Sequence, residues 1–339
     1  MKSLQLMKNY LLNVFTLAVA VISFPLLAQN SDPLPSWNDG QTKQAIIQFV
    51  SDVTDANSPN FVAPQDRIAT FDNDGTLWSE KPMYFQILFV LDQIKEQAAS
   101  HPDWKTTKPY SLVLSGQIDK LSLEDVLTMV QKTHSGVQKT HSGMSSDEFT
   151  SIVQAWISTA KHPVTGRPYT DMVYQPMLEL LDYLDSNGFK NFIVSGGGNA
   201  FMRAWATDVY NIPSERIIGT RLSTEFVNVD GSYQVKRVPG IEVNNDKAEK
   251  PQQIYQHIGK RPIASFGNSD GDLQMLQWTT SGPGPRLAMY VHHTDDQREW
   301  KYDRTSSIGK LDKGLDEAKA KGWLIADMKN DWKQVYPTK

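Results

Sequence analysis

The sequence predicts an α/β protein: a mainly parallel sheet with helices on both faces, interrupted once by a helical insertion. Three observations predict it. From about residue 176 to the C-terminus, apolar strand-like runs alternate with amphipathic helical runs, the rhythm of parallel strand–helix–strand units. Between Glu80 and about Pro176 strand signals nearly vanish and helical spacing dominates. Clusters of Asp, Ser, Asn and Gly stand directly after strand-like runs, where sheets of this class bind ligands beyond the carboxyl ends of their strands.

The elements follow in order. Lys2 and Lys8 precede an apolar run over residues 11–27, and Ala28 offers a small residue for cleavage, so 1–28 reads as a secretory signal. An uncleaved anchor is the alternative, weakened by Asn13, Ser23 and Pro25. The expectation is a periplasmic or secreted protein with no membrane association after signal removal. A polar, Pro-containing lead-in precedes "TKQAIIQFVSDVTD", which has helical spacing, and "RIATFD" (67–72) is a short buried strand ending on acids. The helical block holds "YFQILFVLDQIKEQAA", "SLEDVLTMVQK" and "SDEFTSIVQAWISTA". It defines an inserted domain over 79–175, with the α/β core over 34–78 and 176–339. In the core, "QPMLELLDYLDSNG" is a helix with Pro176 near its start and Gly188 at its end. "KNFIVSG" is a strand, "NAFMRAWATDVYN" a helix, and "TEFVNVDGSYQVKRV" a hairpin turning at Asp230-Gly231. Helix "KPQQIYQHIG", strand "RPIASFG", helix "DGDLQMLQW", strand "RLAMYVHH", helix "LDKGLDEAKAKG" and strand "WLIADM" complete the alternation.

Composition narrows the chemistry. The chain has no cysteine, which excludes disulfides, zinc–thiolate sites and a cysteine nucleophile. Its net charge of -4 and lack of a basic block give no sign of nucleic-acid binding. The heptapeptide "VQKTHSG" occurs at 130–136 and again at 137–143, too few copies for a repeat architecture. His134 and His141 in those copies lack the further ligands a metal site needs.

Asp72 and Asp74 lie two apart on an extended segment and start on the same side of the chain. Two negative charges about 4 Å apart cost about 4 kcal/mol at an effective dielectric of about 20, so a cation or a proton must accompany them. Gly75 and Thr76 suit a tight turn, with the Thr76 hydroxyl as a donor. A second acidic group, Asn268, Asp270 and Asp272 in "FGNSDGDLQML", follows another strand; such an oxygen-only set suits a hard cation such as Mg2+. Between them Ser195 and Gly196 open "SGGGN", a glycine-rich stretch before a helix and hence an anion-binding pattern. Counted from Gly196, the stretch has Phe201 where a dinucleotide fingerprint needs its third glycine, and it has Ile193 where a hydrolase nucleophile elbow needs Gly. Lys250, before Pro251 at a helix start, or Lys247, supplies positive charge.

These pieces in this order resemble the haloacid dehalogenase superfamily over roughly residues 65 to 295: Asp72-Asn73-Asp74-Gly75-Thr76, then Ser195, then Lys250 or Lys247, then Gly267 to Asp272. The helical block resembles that family's C1 cap on a Rossmann-like core, and the exported, phosphoserine-phosphatase-like members are the nearest in pattern. The resemblance implies that Asp72 is a nucleophile forming an aspartyl-phosphate and that Asp74 is the general acid and base. It implies that Mg2+ is held by Asp72, the Asp74 carbonyl and side-chain oxygens among Asn268, Asp270 and Asp272, and that Ser195, Gly196, Thr76 and Lys250 bind the phosphoryl group. Asn268 departs from the pattern, which usually has an acid there. The implied activity is hydrolysis of small phosphorylated metabolites, with a phosphotransferase or a non-catalytic phospho-ligand-binding protein as alternatives. His292, His293, Arg167, Trp78, Glu80 and Tyr84 are further candidates to line the site; core packing suits Trp78, and a surface ion pair suits Arg167.

Overall fold

The computed structural model describes residues 32–135 and 143–338. The expected signal segment, His141 and most of the second VQKTHSG copy lie outside the described residues. One compact unit, from Pro33 to Lys339, carries every element below.

Eight strands form one sheet: β1 (Ile68–Phe71), β2 (Met144–Ser145), β3 (Lys190–Gly198), β4 (Ile217–Val229), β5 (Ser232–Val243), β6 (Ala264–Gly267), β7 (Leu287–His292) and β8 (Leu324–Asp327). Their order is β2-β5-β4-β3-β1-β6-β7-β8. The six from β4 to β8 pair in parallel, while β5 and β2 add an antiparallel edge. The α/β class with a mainly parallel sheet therefore stands. Side chains alternate across a strand, and neighbours in sequence enter opposite cores. Ile193, Ile217 and Met289 join one hydrophobic cluster, while Val194, Ile218 and Tyr290 join the other. Helices Gln41–Thr54 and Gln175–Ser186 pack on the first cluster, and Glu249–Ile258, Leu273–Thr280 and Lys313–Lys321 on the second.

The block after β1 is mostly helical, with Phe85–Gln97, Tyr110–Leu114, Leu123–Ser135 and Ser146–Thr159. It also contributes β2, whose Met144 and Ser145 pair with Arg237 and Lys236 of β5. Two expectations need correction. The helix expected over 199–211 is two short ones, Asn199–Arg203 and Ala206–Tyr210. They part at Trp205, whose ring stacks on Trp78 at 4.2 Å. The hairpin does turn at Asp230-Gly231, both at positive φ (51° and 86°), as a twist-matched two-residue turn requires. But β4 begins seven residues earlier than the pattern suggested, because Ile217 and Ile218 pair with Ile193 and Val194 of β3. The chain runs from β1 to β3 on one side and later to β6 on the other, so β1 marks the place where strand order reverses, the position at which such sheets form a ligand crevice. No helix among the described residues is long and apolar enough to cross a membrane.

Candidate active site

The site is built on the turn after β1. The Asp72 N–H donates to the Phe266 carbonyl and extends the β1–β6 pairing by one residue. The amides of Thr76, Leu77 and Trp78 then converge on the Asn73 carbonyl, and the Gly75 N–H donates to the Trp78 carbonyl. This tight fold-back puts Asp72 and Asp74 on one wall of a cavity of about 440 Å³. Asn73 between them accepts instead from the buried Tyr210 hydroxyl, at 3.1 Å. Gly75 has φ +76°, and a Cβ there would overlap the Asn268 amide and the Glu80 carboxylate. Gly75→Ala is therefore expected to cost at least about 2 kcal/mol of stability through left-handed strain and overlap, measured by urea unfolding.

Lys250 joins the strand ends. Its Nζ donates to Asp72 Oδ1 at 2.7 Å and to Asp272 Oδ1 at 2.5 Å, and it is 2% exposed. The other Asp272 oxygen accepts from the amides of Asn268 and Ser269, both at 3.0 Å. Burial works against the charge on Lys250, but Asp272 and Asp72 outweigh it and hold its pKa above the ordinary lysine value. Burial pushes the Asp72 carboxyl up, the Asp272 charge pushes further, and Lys250 pulls it part of the way back. Asp74, also raised by burial, accepts from Trp78 Nε1 at 2.8 Å, which lowers it; it comes to about 6, a value suited to moving protons near neutrality.

Asn268 sits across from this pair. Its Nδ2 donates to Glu80 Oε1 at 2.7 Å, and its Oδ1 accepts from Thr76 Oγ1 at 3.1 Å. Glu80 Oε1 also accepts from the Tyr302 hydroxyl at 2.8 Å. The backbones at Gly75 and Gly309 pass so close that a Cβ on either would overlap this carboxylate. Burial raises Glu80 well above the ordinary glutamate value; the Tyr302 bond lowers it, and the charges of Asp74 and Asp72 raise it again. The Thr76 expectation changes accordingly: its one hydroxyl proton is spent on Asn268, so it shapes the turn and does not face the cavity.

Ser195 and Gly196 do line the cavity. Three residues, Ser195 to Gly197, bulge out of the β3–β4 register before Gly198 pairs with Thr220. Asn245 Nδ2 and the Thr220 hydroxyl hold this bulge by its Ser195 and Gly196 carbonyls. The glycine amides are less available than the sequence suggested. The Gly197 N–H donates to Ser195 Oγ and the Gly198 N–H to Gln86 Oε1. Ser195 Oγ keeps its own proton to donate.

Other candidates fall elsewhere. Asp270 accepts from the amides of Asp312, Lys313 and Gly314, tying down the start of helix Lys313–Lys321; it is an anchor and not a ligand facing the cavity. Lys247 has φ +54°, is two-thirds exposed and lies 3.8 Å from Asp246, so the buried lysine of the site is Lys250. Arg167 donates to the Pro337 carbonyl and lies over Tyr336. His292 faces Asp303 at 3.4 Å. Tyr84 and Glu80 line the cavity, and Trp78 both packs and donates to Asp74. His293 is buried beneath the turn after β1, with Nε2 2.8 Å from the Gly75 carbonyl and Nδ1 3.2 Å from Glu299. Glu299 also accepts from Ser79 and Tyr174. Burial opposes the Glu299 charge, but His293, the Trp300 amide and the Ser79 hydroxyl outweigh it and keep its pKa below the ordinary value. Sequence reading gave Glu80, His293 and Glu299 no defined role, since their partners lie 188 to 220 residues away in the chain.

The donor chemistry fits a hard divalent cation. The Asp72 and Glu80 carboxylates, the Asn268 side-chain carbonyl and the Asp74 main-chain carbonyl are all oxygen donors, and the two buried acids Asp72 and Asp272 share one ammonium, that of Lys250. Among the described residues no three acidic, cysteine or histidine side chains converge on a ready-made metal position; the Lys250 ammonium stands between Asp72 and Asp272 instead.

Comparison with known proteins completes the picture. A search of curated proteins found no match. A conserved functionally unknown protein from Anaerococcus prevotii DSM 20548 is similar at 15% identity, over 87% of this chain and 94% of its own, with a TM-score of 0.49. A protein of unknown function from Bordetella pertussis Tohama I is similar at 14% identity, over 77% and 98% of the two chains, also at 0.49. A probable phosphoserine phosphatase from Vibrio cholerae is similar at 14% identity, over 81% and 69%, at 0.38. The family model for haloacid dehalogenase-like hydrolases matches residues 69–277, a span that runs from β1 through β6 and holds Asp72, Ser195, Lys250 and Asp272. With more than half of its length matched, the chain belongs to the haloacid dehalogenase-like hydrolase family.

Proposed function

We propose that the protein is a Mg2+-dependent phosphomonoesterase acting through an aspartyl-phosphate on small phosphorylated molecules in the periplasm or outside the cell. The observation that carries this reading is the buried Asp72–Lys250–Asp272 triad with Asp74 on the same turn, all at the mouth of β1. In the first half-reaction an Asp72 oxygen attacks phosphorus and the ester P–O bond breaks. Asp74 gives its proton to the departing alcohol. In the second half-reaction Asp74 takes a proton from water, which attacks the same phosphorus and returns Asp72 as carboxylate. The balance is ester plus water to alcohol plus inorganic phosphate. Lys250 and the Ser195 hydroxyl neutralise and orient the phosphoryl oxygens, together with the Gly196 backbone. Asp272 holds Lys250 against Asp72. Asp72, the Asp74 carbonyl, Asn268 and Glu80 would hold Mg2+, and Glu80 supplies the charge that Asn268 does not. Bound Mg2+ would lower the negative charge facing the incoming ester.

Hydrolysis of p-nitrophenyl phosphate is expected to stop in EDTA and to return with Mg2+. Glu80→Gln should raise the Mg2+ concentration for half-activation by about 10- to 100-fold. The same weakening should appear, without substrate, as a smaller Mg2+-induced rise in Tm. Turnover unaffected by EDTA overturns the metal requirement, and an unchanged Mg2+ response in Glu80→Gln removes Glu80 from the metal shell.

A further inference from the structure

The cavity has two unlike walls. The strand-end loops present Asp72, Asp74, Ser195 and Lys250. The facing wall is assembled from three separate parts of the chain: Met83 and Ile87 just before and within the first turn of helix Phe85–Gln97, Leu127 and Val130 of helix Leu123–Ser135, and Leu222 with Ile241 of the β4–β5 pair. Leu222 and Ile241 are partners across the two strands, so their side chains stand side by side on one face of the sheet. Ile87 and Val130 also pack on the first hydrophobic core. The other four, Met83, Leu127, Leu222 and Ile241, join neither core cluster among the described residues, although Leu222 is buried and the other three are half-buried. Their apolar surface is turned to the cavity that holds the reacting groups at its other side.

The polar groups on this side are already spent on the chain itself. Gln86 Oε1 accepts from the Gly198 amide, and the Thr220 hydroxyl donates to the Gly196 carbonyl. Arg237 is engaged too, its guanidinium lying over the Phe149 ring at 4.2 Å. Asp246 also lines the cavity, with its side chain 41% exposed and 3.8 Å from Lys247. Its negative charge disfavours a second anion on a bound ester. A hydroxyl or carboxylate carried by the leaving alcohol would thus give up water at this wall without a partner in exchange, which is costly, whereas hydrocarbon gains by the same transfer. Cavities of this size hold ligands considerably larger than phosphate.

Taking the phosphatase reading as its basis, we infer that the physiological substrate is the phosphate ester of an apolar alcohol, whose hydrocarbon body lies against Met83, Leu127, Leu222 and Ile241 while its phosphoryl group reaches Asp72. The phosphate is then the one strongly hydrated part of the molecule, and it is the part that Lys250 and Ser195 receive.

The test uses esters of primary alcohols, which share one leaving-group chemistry and differ in what the alcohol carries: ethyl, n-butyl and n-hexyl phosphate, glycerol 1-phosphate, phosphoethanolamine and O-phosphoserine, each with the full protein and Mg2+. The polar alcohols are slightly the better leaving groups, so intrinsic reactivity runs against the expected order. From ethyl to hexyl, kcat/KM should rise by about threefold or more per added methylene, and the three polar esters should fall below n-butyl phosphate. In Leu127→Gln and in Ile241→Thr the hexyl-to-ethyl ratio of kcat/KM should fall by about fivefold, while Leu127→Met should keep it. A ratio measured within one protein is insensitive to partial loss of folded enzyme. A wild-type ratio near one, a polar ester as the best of the six, or a ratio unchanged in both Leu127→Gln and Ile241→Thr overturns this inference while leaving the phosphatase reading in place. Turnover of p-nitrophenyl phosphate with none of the six does the same. No turnover of any of these esters, p-nitrophenyl phosphate included, removes the phosphatase reading, and this inference with it.

Discussion

Asp72→Asn is expected to lower kcat on p-nitrophenyl phosphate by about 10⁴-fold or more, because the amide has no charge with which to attack phosphorus and no second path to a covalent intermediate. The fold should not suffer. Asn keeps the shape of Asp and an oxygen to accept from Lys250, which lies 2.7 Å away. The raised pKa of Asp72 means that its ionised form is disfavoured in the folded chain relative to the unfolded one. Replacing it with a neutral group removes repulsion from Asp272 while leaving Lys250 its pairing with Asp272 at 2.5 Å. The unfolding free energy at pH 7, from urea titration, should therefore stay level or rise, by up to about 1 kcal/mol, the pattern expected where a site is kept at the expense of stability. Wild-type turnover in Asp72→Asn places the nucleophile elsewhere and ends the mechanism proposed above. Adding a competing alcohol to the wild-type assay separates hydrolysis from phosphotransfer, since transfer raises p-nitrophenol release without a matching rise in free phosphate.

Much of this site was legible because its parts are local. Asp72 and Asp74 are two residues apart at a strand end, and strand geometry alone sets them on one side. The Asp230-Gly231 turn was legible for the same reason, since two residues dictate it. What escaped depends on distant chain. Asp270 and Asp272 are equivalent in spacing, and only the start of helix Lys313–Lys321, about forty residues on, claims Asp270. Lys247 and Lys250 are likewise alike until the backbone at Lys247 takes a left-handed conformation that turns it to solvent. Glu80 reads only as a candidate to line the pocket, with no partner to name, until Tyr302 and Asn268 close on it. The early start of β4 was missed because Gly219, Thr220 and Arg221 look polar and turn-like. Register with β3 and β5 overrides that local preference, as it commonly does for strands.

Lys250→Met should be the most damaging substitution for stability. Methionine nearly matches the stem of lysine in length but leaves Asp72 and Asp272 buried with no positive charge between them. Removing one partner from a buried ionic group costs about 3–5 kcal/mol, far more than the group contributes over an apolar replacement of the whole. Urea unfolding at pH 7 should show that loss, and phosphatase activity should fall with it. The double variant Lys250→Met with Asp272→Asn tests the cause. The Asn oxygen can still accept from the amides of Asn268 and Ser269, now served by Asp272 Oδ2, while the second buried charge is gone. Its stability should recover by about 1–3 kcal/mol relative to Lys250→Met alone, the range of coupling expected for residues in direct contact. Activity should not recover, because the phosphoryl group still lacks its ammonium. Stability and turnover thus separate in one pair of proteins. If the double variant is no more stable than Lys250→Met, the cost lies in lost packing around a buried side chain, and charge balance is not what holds the strand ends together.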